Sequence, residues 1–558
     1  MSLNIARSVA FSGLSATSVQ ISVTSSNISN ADTTGYTKKT ASQSSSVTNG
    51  VGTGVAVTGI TSTVDKLLLK SLVGAISDLG SADTTNSYLT SLEKLYGSTS
   101  STDGSSTGTS LANSIAALES ALSSLESSPS SASLQSNVVG ALDDVASQLR
   151  ETSSGIQKLR GNADQDIASS IDEVNADLQQ IADLNAQIKQ TAAAGQSTAD
   201  LEDQRNTALQ DLASKMNISY FTASTTYTAG SSTSGFSAIT VNGVDITSQI
   251  AGGDIGALIT LRDETLPAAQ SQLDQLAQQL ASAMNSVSNG ASSVPAPTSL
   301  TGTTSVTAGM ALAASGTVRI AVTDQSGSLV SYSDLDLSSY STVGDLVTAV
   351  NGISGLSASI DADGHFSITA TGSGNGVAIN EMTSSVGSTS EGFSEYFGLN
   401  DVVTGTSASD IAVDSKILSG TNGLQLATLD SSSPLTVGST VLSSGSATVI
   451  NAFYDALTNA RTFASTGGLA ATTGSLADYA STIVADVASK SSQASTSYTA
   501  KETAQSTYAN SLSSQSGVNL DEESATLSTL QNKYSAASAL IEAINSMYSA
   551  LLAAVQSA

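Results

Sequence analysis

The 558-residue sequence contains no cysteine and no tryptophan, and it contains a single histidine. Without cysteine the chain cannot form disulfides, bind metals through thiolates or use a thiol nucleophile. One histidine cannot supply the multi-histidine ligand sets of zinc sites, and it leaves little for Ser-His-Asp chemistry. These absences exclude most of the common catalytic and metal centres.

Basic residues are also scarce. The chain has 19 Lys and Arg against 47 Asp and Glu, which gives a net charge of −28. A nucleic-acid-binding protein needs a basic face to displace counterions, and an anionic membrane surface would repel this chain for the same reason. No uninterrupted apolar run reaches about 18 residues, and the N-terminus lacks the apolar core of a cleavable signal peptide. We therefore expect neither a nucleic-acid nor a membrane partner.

Both ends of the chain have the heptad spacing of long helices. Near the N-terminus Leu14, Ile21 and Ile28 are seven residues apart, although the row between them is small or hydroxylated. Near the C-terminus two apolar rows keep the same spacing, and Asn519 with Glu522 forms a capping signal. We define the assembly seam as these heptad positions: Leu14, Ile21, Ile28, Leu520, Leu527, Leu530, Tyr534, Ile541, Ile544, Tyr548 and Leu551.

A seam of this length needs a partner helix. Two interpretations stay open: the core of an intramolecular helical bundle, or a coiled coil between the two chain ends that continues into neighbouring subunits. The half-polar N-terminal row buries little, and ordering each residue costs about 1–2 kcal/mol of backbone entropy. The half-polar N-terminal row therefore predicts that both chain ends are mobile in the free monomer.

In the middle of the chain the spacing of the hydrophobic residues changes from one segment to the next. Helical spacing predicts helices at residues 110–125, 134–159, 164–189, 201–216 and 265–287, and helix again from residue 449. Between them, alternation and turn signals predict strands. We predict an α+β multidomain fold, in which long terminal helices form a coiled-coil or helical-bundle region and a β-rich domain is inserted.

The length allows about three or four domains. Residues 1–35 and 515–558 are predicted to form a terminal helical assembly region. Residues 36–291 and 447–514 are predicted to form a mainly helical domain with small β elements. Residues 292–446 are the predicted β-rich insertion, and its ends should lie close together.

Candidate chemical motifs are few. Asp361, Asp363 and Gly364 resemble the start of a calcium loop, but Phe366 then begins a strand, which favours an Asp-Gly hairpin turn. Paired carboxylates lie on the predicted helices. There they either interact favourably with the helix dipole near an N-terminus or lie on a solvated face. No nucleophile, base and acid converge in the pattern. We expect no enzymatic activity, no cofactor and no metal site.

One short segment has a familiar pattern. Residues 27–36, NISNADTTGY, resemble the motif that follows the first helix in flagellar rod, hook and hook-associated proteins. The motif positions are Asn27, Asn30, Gly35 and Tyr36, and Thr34 replaces the usual proline. The asparagines favour a helix end and a turn, and Gly35 permits a positive φ.

Longer segments are more selective. Residues 52–72, 181–213, 252–285, 393–401 and 516–552 are similar to the flagellar hook-associated protein 1 (FlgK) family, in that family's order and over nearly the whole chain. By this resemblance the chain is identified as a member of the family. The resemblance implies a structural adaptor of the bacterial flagellum, which joins hook to filament by self-assembly into a junction ring and so supports motility.

The same resemblance implies partners and a location. The partners are copies of the chain in a homo-oligomeric ring, the hook protein, a second hook–filament junction protein, and an export chaperone on the C-terminal helix. The location is extracellular, at the hook–filament junction, after type III export without a cleaved signal peptide. The alternatives are another axial flagellar protein of hook or filament type, or a secreted adhesin. The RDETLP and FGLND segments favour the junction protein.

Overall fold

The computed structural model describes residues 3–48, 50–97, 109–217, 227–231, 237–241, 244–443 and 446–557. The fold is α+β, with long helices at both ends of the chain. The helices are α1 (Leu3–Ser29), α2 (Lys66–Tyr96), α3 (Leu111–Glu126), α4 (Ala132–Ala193), α5 (Ala199–Lys215), α6 (Gly253–Thr260), α7 (Leu266–Asn289), α8 (Val343–Asn351), α9 (Phe393–Phe397), α10 (Ser415–Leu418), α11 (Ala447–Thr458), α12 (Leu476–Ser516) and α13 (Leu520–Ser557). The strands are β1 (Lys39–Thr48), β2 (Val51–Ser62), β3 (Tyr227–Ser231), β4 (Ser237–Val241), β5 (Val244–Asp245), β6 (Ser299–Ser305), β7 (Thr317–Thr323), β8 (Leu329–Asp336), β9 (Leu356–Ile360), β10 (His365–Ala370), β11 (Gly376–Asn380), β12 (Val403–Thr404), β13 (Ala412–Val413), β14 (Arg461–Phe463) and β15 (Thr472–Gly474).

The chain divides into two compact units. Unit 1 comprises Met1–Tyr88, Gly161–Arg262 and Ser492–Ala558, and unit 2 comprises Leu89–Arg160 and Asp263–Ser491. Both chain ends therefore belong to one unit, and the β-rich residues belong to the other. The finer three-part division made from the sequence stays a prediction.

Unit 1 is built from helices, one long hairpin and the small sheet β3-β4-β5. Strands β1 and β2 pair antiparallel, and the hairpin packs on α1, where the Val55 N–H donates to Ser12 Oγ at 3.1 Å. A separate apolar core joins the second half of α4 to α5 and α6. Its fully buried members include Ile167, Val174, Leu212 and Ile255. This core gives the turn after α1 a rigid support.

Unit 2 contains the β-rich region. Two three-stranded antiparallel sheets, in the orders β6-β10-β9 and β11-β7-β8, enclose one apolar core. The rings of Phe366, Phe393 and Phe397 pack there with centroids 4.8–6.2 Å apart. Helix α8 begins with a capping box between Thr342 and Asp345.

Several elements differ from the sequence predictions. The two helices predicted at residues 134–159 and 164–189 form the single helix α4, which continues through Gly161. Helix α2 was not predicted, because residues 80–87 are mostly small or hydroxylated and lack an apolar stripe. The hairpin β14–β15 interrupts the helix predicted from residue 449. A three-residue strand is too short for alternation to reveal it.

The helical stretch Leu476–Gln556 is long and apolar enough to cross a membrane by length and composition. It contains an 18-residue window with a mean hydropathy of 1.4, and only 6% of that window is buried. The prediction of no membrane partner rested on the negative net charge and on the lack of a long uninterrupted apolar run, and it stays a prediction. The finding locates a large apolar surface on the outside of the C-terminal helices.

Candidate assembly site

Helices α1 and α13 form an antiparallel pair within unit 1. At one end Asn27 Nδ2 donates to Glu523 Oε2 at 3.0 Å, and at the other end the Tyr548 hydroxyl donates to Asn4 Oδ1. Both chain ends therefore lie side by side, although these residues are about 500 positions apart in sequence. Because Asn4 pairs with Tyr548, the last turns of α13 extend beyond the start of α1.

The inner face of α1 consists of small and hydroxylated residues. Its buried positions are Ala10, Ala16, Thr17, Val23, Thr24 and Asn27. The Thr17 hydroxyl donates to the Gly13 carbonyl at 2.9 Å, so its burial leaves no unpaired donor. The seam residues Leu14, Ile21 and Ile28 are half-buried beside this face.

The C-terminal part of the assembly seam divides into three classes of exposure. Leu530 and Ile544 are buried at 5% exposure, Leu527, Ile541 and Tyr548 are half-buried, and Leu520, Tyr534 and Leu551 are exposed. One side of α13 thus packs on α1 and another remains open. Whether this seam joins subunits stays a prediction.

The open side of α13 carries further apolar residues. We define the exposed row as Leu540, Met547, Leu551, Leu552 and Val555, whose exposures run from 53% to 70%. Contiguous apolar patches are uncommon on monomeric soluble proteins and usually mark interaction surfaces. Leu540, Met547 and Leu552 lie outside the predicted seam, although the seven-residue spacing of Leu540 and Met547 was a usable signal.

A polar cluster holds the root of the helix pair, and we call it the latch: residues 27, 36–39, 200, 203, 516, 522 and 523. Asn27 is 1% exposed and all of its amide groups are paired. Its Oδ1 accepts from the Lys39 N–H and the Tyr36 hydroxyl, each at 3.0 Å. Its Nδ2 donates to the Lys39 carbonyl at 2.9 Å and to Glu523. This motif asparagine therefore closes the edge of β1 and contacts α13.

Lys39 is a buried cation in the latch. Its Nζ lies 2.8 Å from Asp203 Oδ2, 2.9 Å from Asp200 Oδ1 and 3.4 Å from the centroid of the Tyr36 ring. Asp203 also accepts from the Thr37 N–H at 3.0 Å. Burial alone would lower the pKa of Lys39, but the hydrogen bonds to Asp203 and Asp200 outweigh it, so the pKa is raised.

Lys38 points to the C-terminal segment instead. Its Nζ lies 3.0 Å from Glu523 Oε1 and 3.2 Å from Glu522 Oε2, and its N–H donates to the Ser516 carbonyl at 2.8 Å. Burial lowers the pKa of Lys38, and the hydrogen bonds to the two glutamates outweigh this effect and raise it. The predicted cap is present as well, because Asn519 Oδ1 accepts from the Asp521 and Glu522 N–H groups.

The other two motif residues shape the turn between α1 and β1. Asn30 Nδ2 donates to the Ser26 carbonyl at 2.9 Å and ends the helix. Gly35 has φ +79°, and a Cβ there would lie 2.3 Å from Thr207 Oγ1 of α5. The structure thus brings Asn27 and Tyr36 into direct contact, while Asn30 and Gly35 set the path of the chain between them.

The latch is expected to weaken in alkaline solution. The pKa values of Lys38 and Lys39 are raised above their ordinary value, and burial raises the pKa of Tyr36. The folded chain therefore binds these protons more tightly than the unfolded chain. Their contribution is complete below the ordinary values and is lost as pH rises through the raised ones. Urea unfolding measured from about pH 8 to 11.5 should show stability falling above about pH 10, and less steeply in Lys38→Met.

In unit 2, residues 393–401 (FSEYFGLND) contact α7 through buried polar groups. Asn289 Oδ1 accepts from Ser394 Oγ at 3.0 Å and from the Asn400 N–H at 2.9 Å, and Asn289 Nδ2 donates to Asp401 Oδ1 at 2.7 Å. Asn285 Oδ1 accepts from the backbone of residues 402 and 403. These contacts join the helical and β-rich parts of unit 2.

We expect Asn289→Ala to destabilise unit 2 by about 3 kcal/mol, because it leaves several buried polar groups without a partner. Chemical unfolding followed by circular dichroism measures the loss. Gln278→Ala, on the exposed side of the same helix α7, is the matched control and should change stability by less than about 0.5 kcal/mol. Equal effects of the two substitutions would contradict the role given to Asn289.

The predicted Asp-Gly turn joins β9 to β10. Asp361 Oδ1 accepts from the Asp363 and His365 N–H groups at 3.0 and 2.8 Å, and Gly364 has φ +89°. Ligand atoms of Asp361, Asp363 and His365 lie within 4.8 Å of one another at the surface. One Asp361 oxygen already stabilises the turn, so a structural role accounts for this arrangement.

Comparison with known protein families identifies flagellar segments along the chain. The FlgK helical-domain model of the flagellar hook-associated protein matches residues 101–230 and 221–294. A model of flagella basal body rod proteins matches residues 8–37, which include most of α1 and the motif turn. The flagellin hook IN motif matches residues 317–372 in the β-rich region.

Individual relatives agree with the family models. Flagellar hook-associated protein 1 of Salmonella typhimurium, and likewise that of Salmonella typhi, is 25% identical over 311 residues, or 50% of this chain and 55% of the relative. The chain thus spans about half the length of these relatives. The solved flagellar hook junction protein FlgK from Burkholderia pseudomallei is 15% identical, with a TM-score of 0.44, over 79% of this chain and 98% of that one. In its helical domain and over about half of its length, the chain is similar to the FlgK flagellar hook-associated proteins.

Proposed function

We propose that this chain is a structural component of the bacterial flagellum that joins hook to filament by assembling with copies of itself into a junction ring. The observation that carries the proposal is the terminal helix pair. Helices α1 and α13 bury one face against each other, and α13 leaves the exposed row open to solvent. An apolar row of this length on a soluble chain fits a surface that neighbouring subunits cover. Its function is structural rather than enzymatic.

The proposal includes further partners and a location. They are the hook protein, a second junction protein, an export chaperone on α13, and a position outside the cell after type III export. The support is the similarity to FlgK hook-associated proteins together with the exposure of α13. The apolar face that α13 leaves exposed is a surface that a chaperone groove can hold before assembly.

A second candidate is another axial flagellar protein, of hook or filament type. The matches to rod proteins and to the flagellin hook IN motif favour this broader class. The helical-domain match at residues 101–294 favours the junction protein instead. No described feature gives the adhesin alternative separate support beyond its Ser/Thr-rich strands.

A deletion strain tests the proposal. Cells lacking the chain should build hooks, fail to swim and release unassembled flagellin into the medium. Expression of the chain from a plasmid should restore filaments, and electron microscopy with a labelled chain should place it between hook and filament. Swimming deletion cells would refute the junction role, and label along the hook or the filament would favour the second candidate.

A further inference from the structure

The thioethers of methionine are the sulfur groups of this chain. It has no cysteine and six methionines, five of which lie in the part of the chain that the structure describes. Two-electron oxidants such as hydrogen peroxide attack thiolates and accessible thioethers, and they turn the apolar side chain of methionine into a polar sulfoxide. Since no thiol competes here, the exposure of each methionine decides where such an oxidant acts on this protein.

The five methionines differ widely in exposure. Met216 and Met284 are buried at 1%, whereas Met310 and Met382 in unit 2 are 40% and 37% exposed. Met547 is the most open of the five at 57%, and it belongs to the exposed row of α13. Separation of α13 from α1 would only expose this side chain further. An oxidant therefore reaches the Met547 sulfur in the unassembled chain whether the two helices are paired or apart.

Assembly would place the same sulfur among apolar groups. Leu540 and Leu551 lie seven residues before and four residues after Met547, so the three side chains share one face of the helix. The positions three and four residues to either side of Met547 are occupied by alanine, isoleucine and leucine, and none of these side chains donates a hydrogen bond. A sulfoxide oxygen covered at this point would find no side-chain donor on its own helix turn, and a buried acceptor without a donor is costly.

We propose that Met547 is an oxidation site through which a peroxide controls assembly of the chain. The sulfur donates an electron pair to one peroxide oxygen, an S–O bond forms as the O–O bond breaks, and the other oxygen leaves as water after proton transfer. The polar sulfoxide makes the exposed row unfavourable for a neighbouring copy to cover. A methionine sulfoxide reductase removes the oxygen as water while a dithiol is oxidised to a disulfide, and the row is restored. The inference rests on the proposed function, because it takes the exposed row as the assembly surface.

Peptide mass spectrometry tests the chemistry on the purified full chain. After brief treatment with hydrogen peroxide, one oxygen should be added at Met547 about tenfold faster than at Met216 and Met284, because reactivity follows the exposure of the sulfur. The thermal unfolding transition should not move, because a sulfoxide at an exposed position stays hydrated. Oxidation of Met547 no faster than that of the two buried methionines would overturn the inference, and so would a collapsed transition.

A sedimentation experiment tests the effect on assembly. Partly oxidised chain is mixed with hooks isolated from a deletion strain, and the hooks are pelleted. The Met547 sulfoxide should be depleted about tenfold in the pellet relative to the supernatant, because it disrupts the covered surface. The sulfoxides of Met310 and Met382 are the internal controls and should divide equally between the two fractions. Treatment with methionine sulfoxide reductases before mixing should return the chain to the pellet.

The outcomes separate this inference from the proposed function. Untreated chain that does not pellet with hooks refutes the proposed function, and the inference falls with it. Untreated chain that pellets while the Met547 sulfoxide divides equally between the fractions overturns the inference alone. Met547→Leu, compared with its own untreated sample, should lose no binding after peroxide treatment. A loss there would assign the sensitive sulfur to another methionine and would also overturn the inference.

Discussion

Replacing Met547 and Leu551 together by aspartate should leave the purified chain folded and abolish the joining of filament to hook. The two side chains are 57% and 59% exposed, so new carboxylates there remain hydrated in the monomer. In an assembly that covers the exposed row, each unpaired carboxylate costs several kcal/mol or takes up a proton. The penalty would fall on every subunit of the proposed ring, and assembly should fail.

The measurement combines complementation of a deletion strain with thermal unfolding of the purified chain. Ser546→Asp with Ala550→Asp is the matched control, because it adds the same charge at the same spacing on exposed positions outside the exposed row. The control should swim normally. Normal motility of the Met547 and Leu551 variant would show that the exposed row is not an assembly surface. A collapsed melting temperature would show that the row belongs to an intramolecular core.

The sequence predicted the terminal helices well, because their signals are local and repeated. The heptad rows and the Asn519 cap place α13 within a residue of its observed start. The same rows could not tell which apolar side faces α1. Heptad arithmetic puts Ile541 at the centre of the seam, whereas the structure half-buries Ile541 and buries Ile544. Which side of α13 faces α1 depends on the shape of the partner surface, and α1 offers a narrow face of small residues.

The latch shows what a single sequence cannot reveal. The family motif marked Asn27 and Tyr36, but it gave no sign of Asp203 or Glu523. A lysine and an aspartate far apart in sequence have no shared period, and only the packing of α5 against the motif turn brings them together. The small hydroxylated stretch that hid α2 is a similar case, since its helix depends on tertiary packing more than on its own pattern.

Ile544→Asp should separate α1 from α13 even in the free monomer. Ile544 is 5% exposed, so a carboxylate in its place would be buried. We expect the pair to lose several kcal/mol and residues 3–29 to exchange their amide hydrogens at least tenfold faster. Hydrogen exchange with mass spectrometry measures this directly. The cores of α4–α6 and of unit 2 should stay protected, because their contacts are elsewhere.

Two controls make the result decisive. Ile544→Val removes one methylene and should cost only about 1 kcal/mol. Leu540→Asp places the same carboxylate one turn away at 53% exposure and should leave the exchange of α1 unchanged. The half-polar N-terminal row predicts mobile chain ends in the monomer, and in that case Ile544→Asp would change nothing, since the ends would already exchange fast. The burial of Leu530 and Ile544 on α13, and of small residues on α1, favours the ordered pair instead. A selective loss of protection in α1 is therefore the outcome that separates a preformed helix pair from one that forms only in the ring.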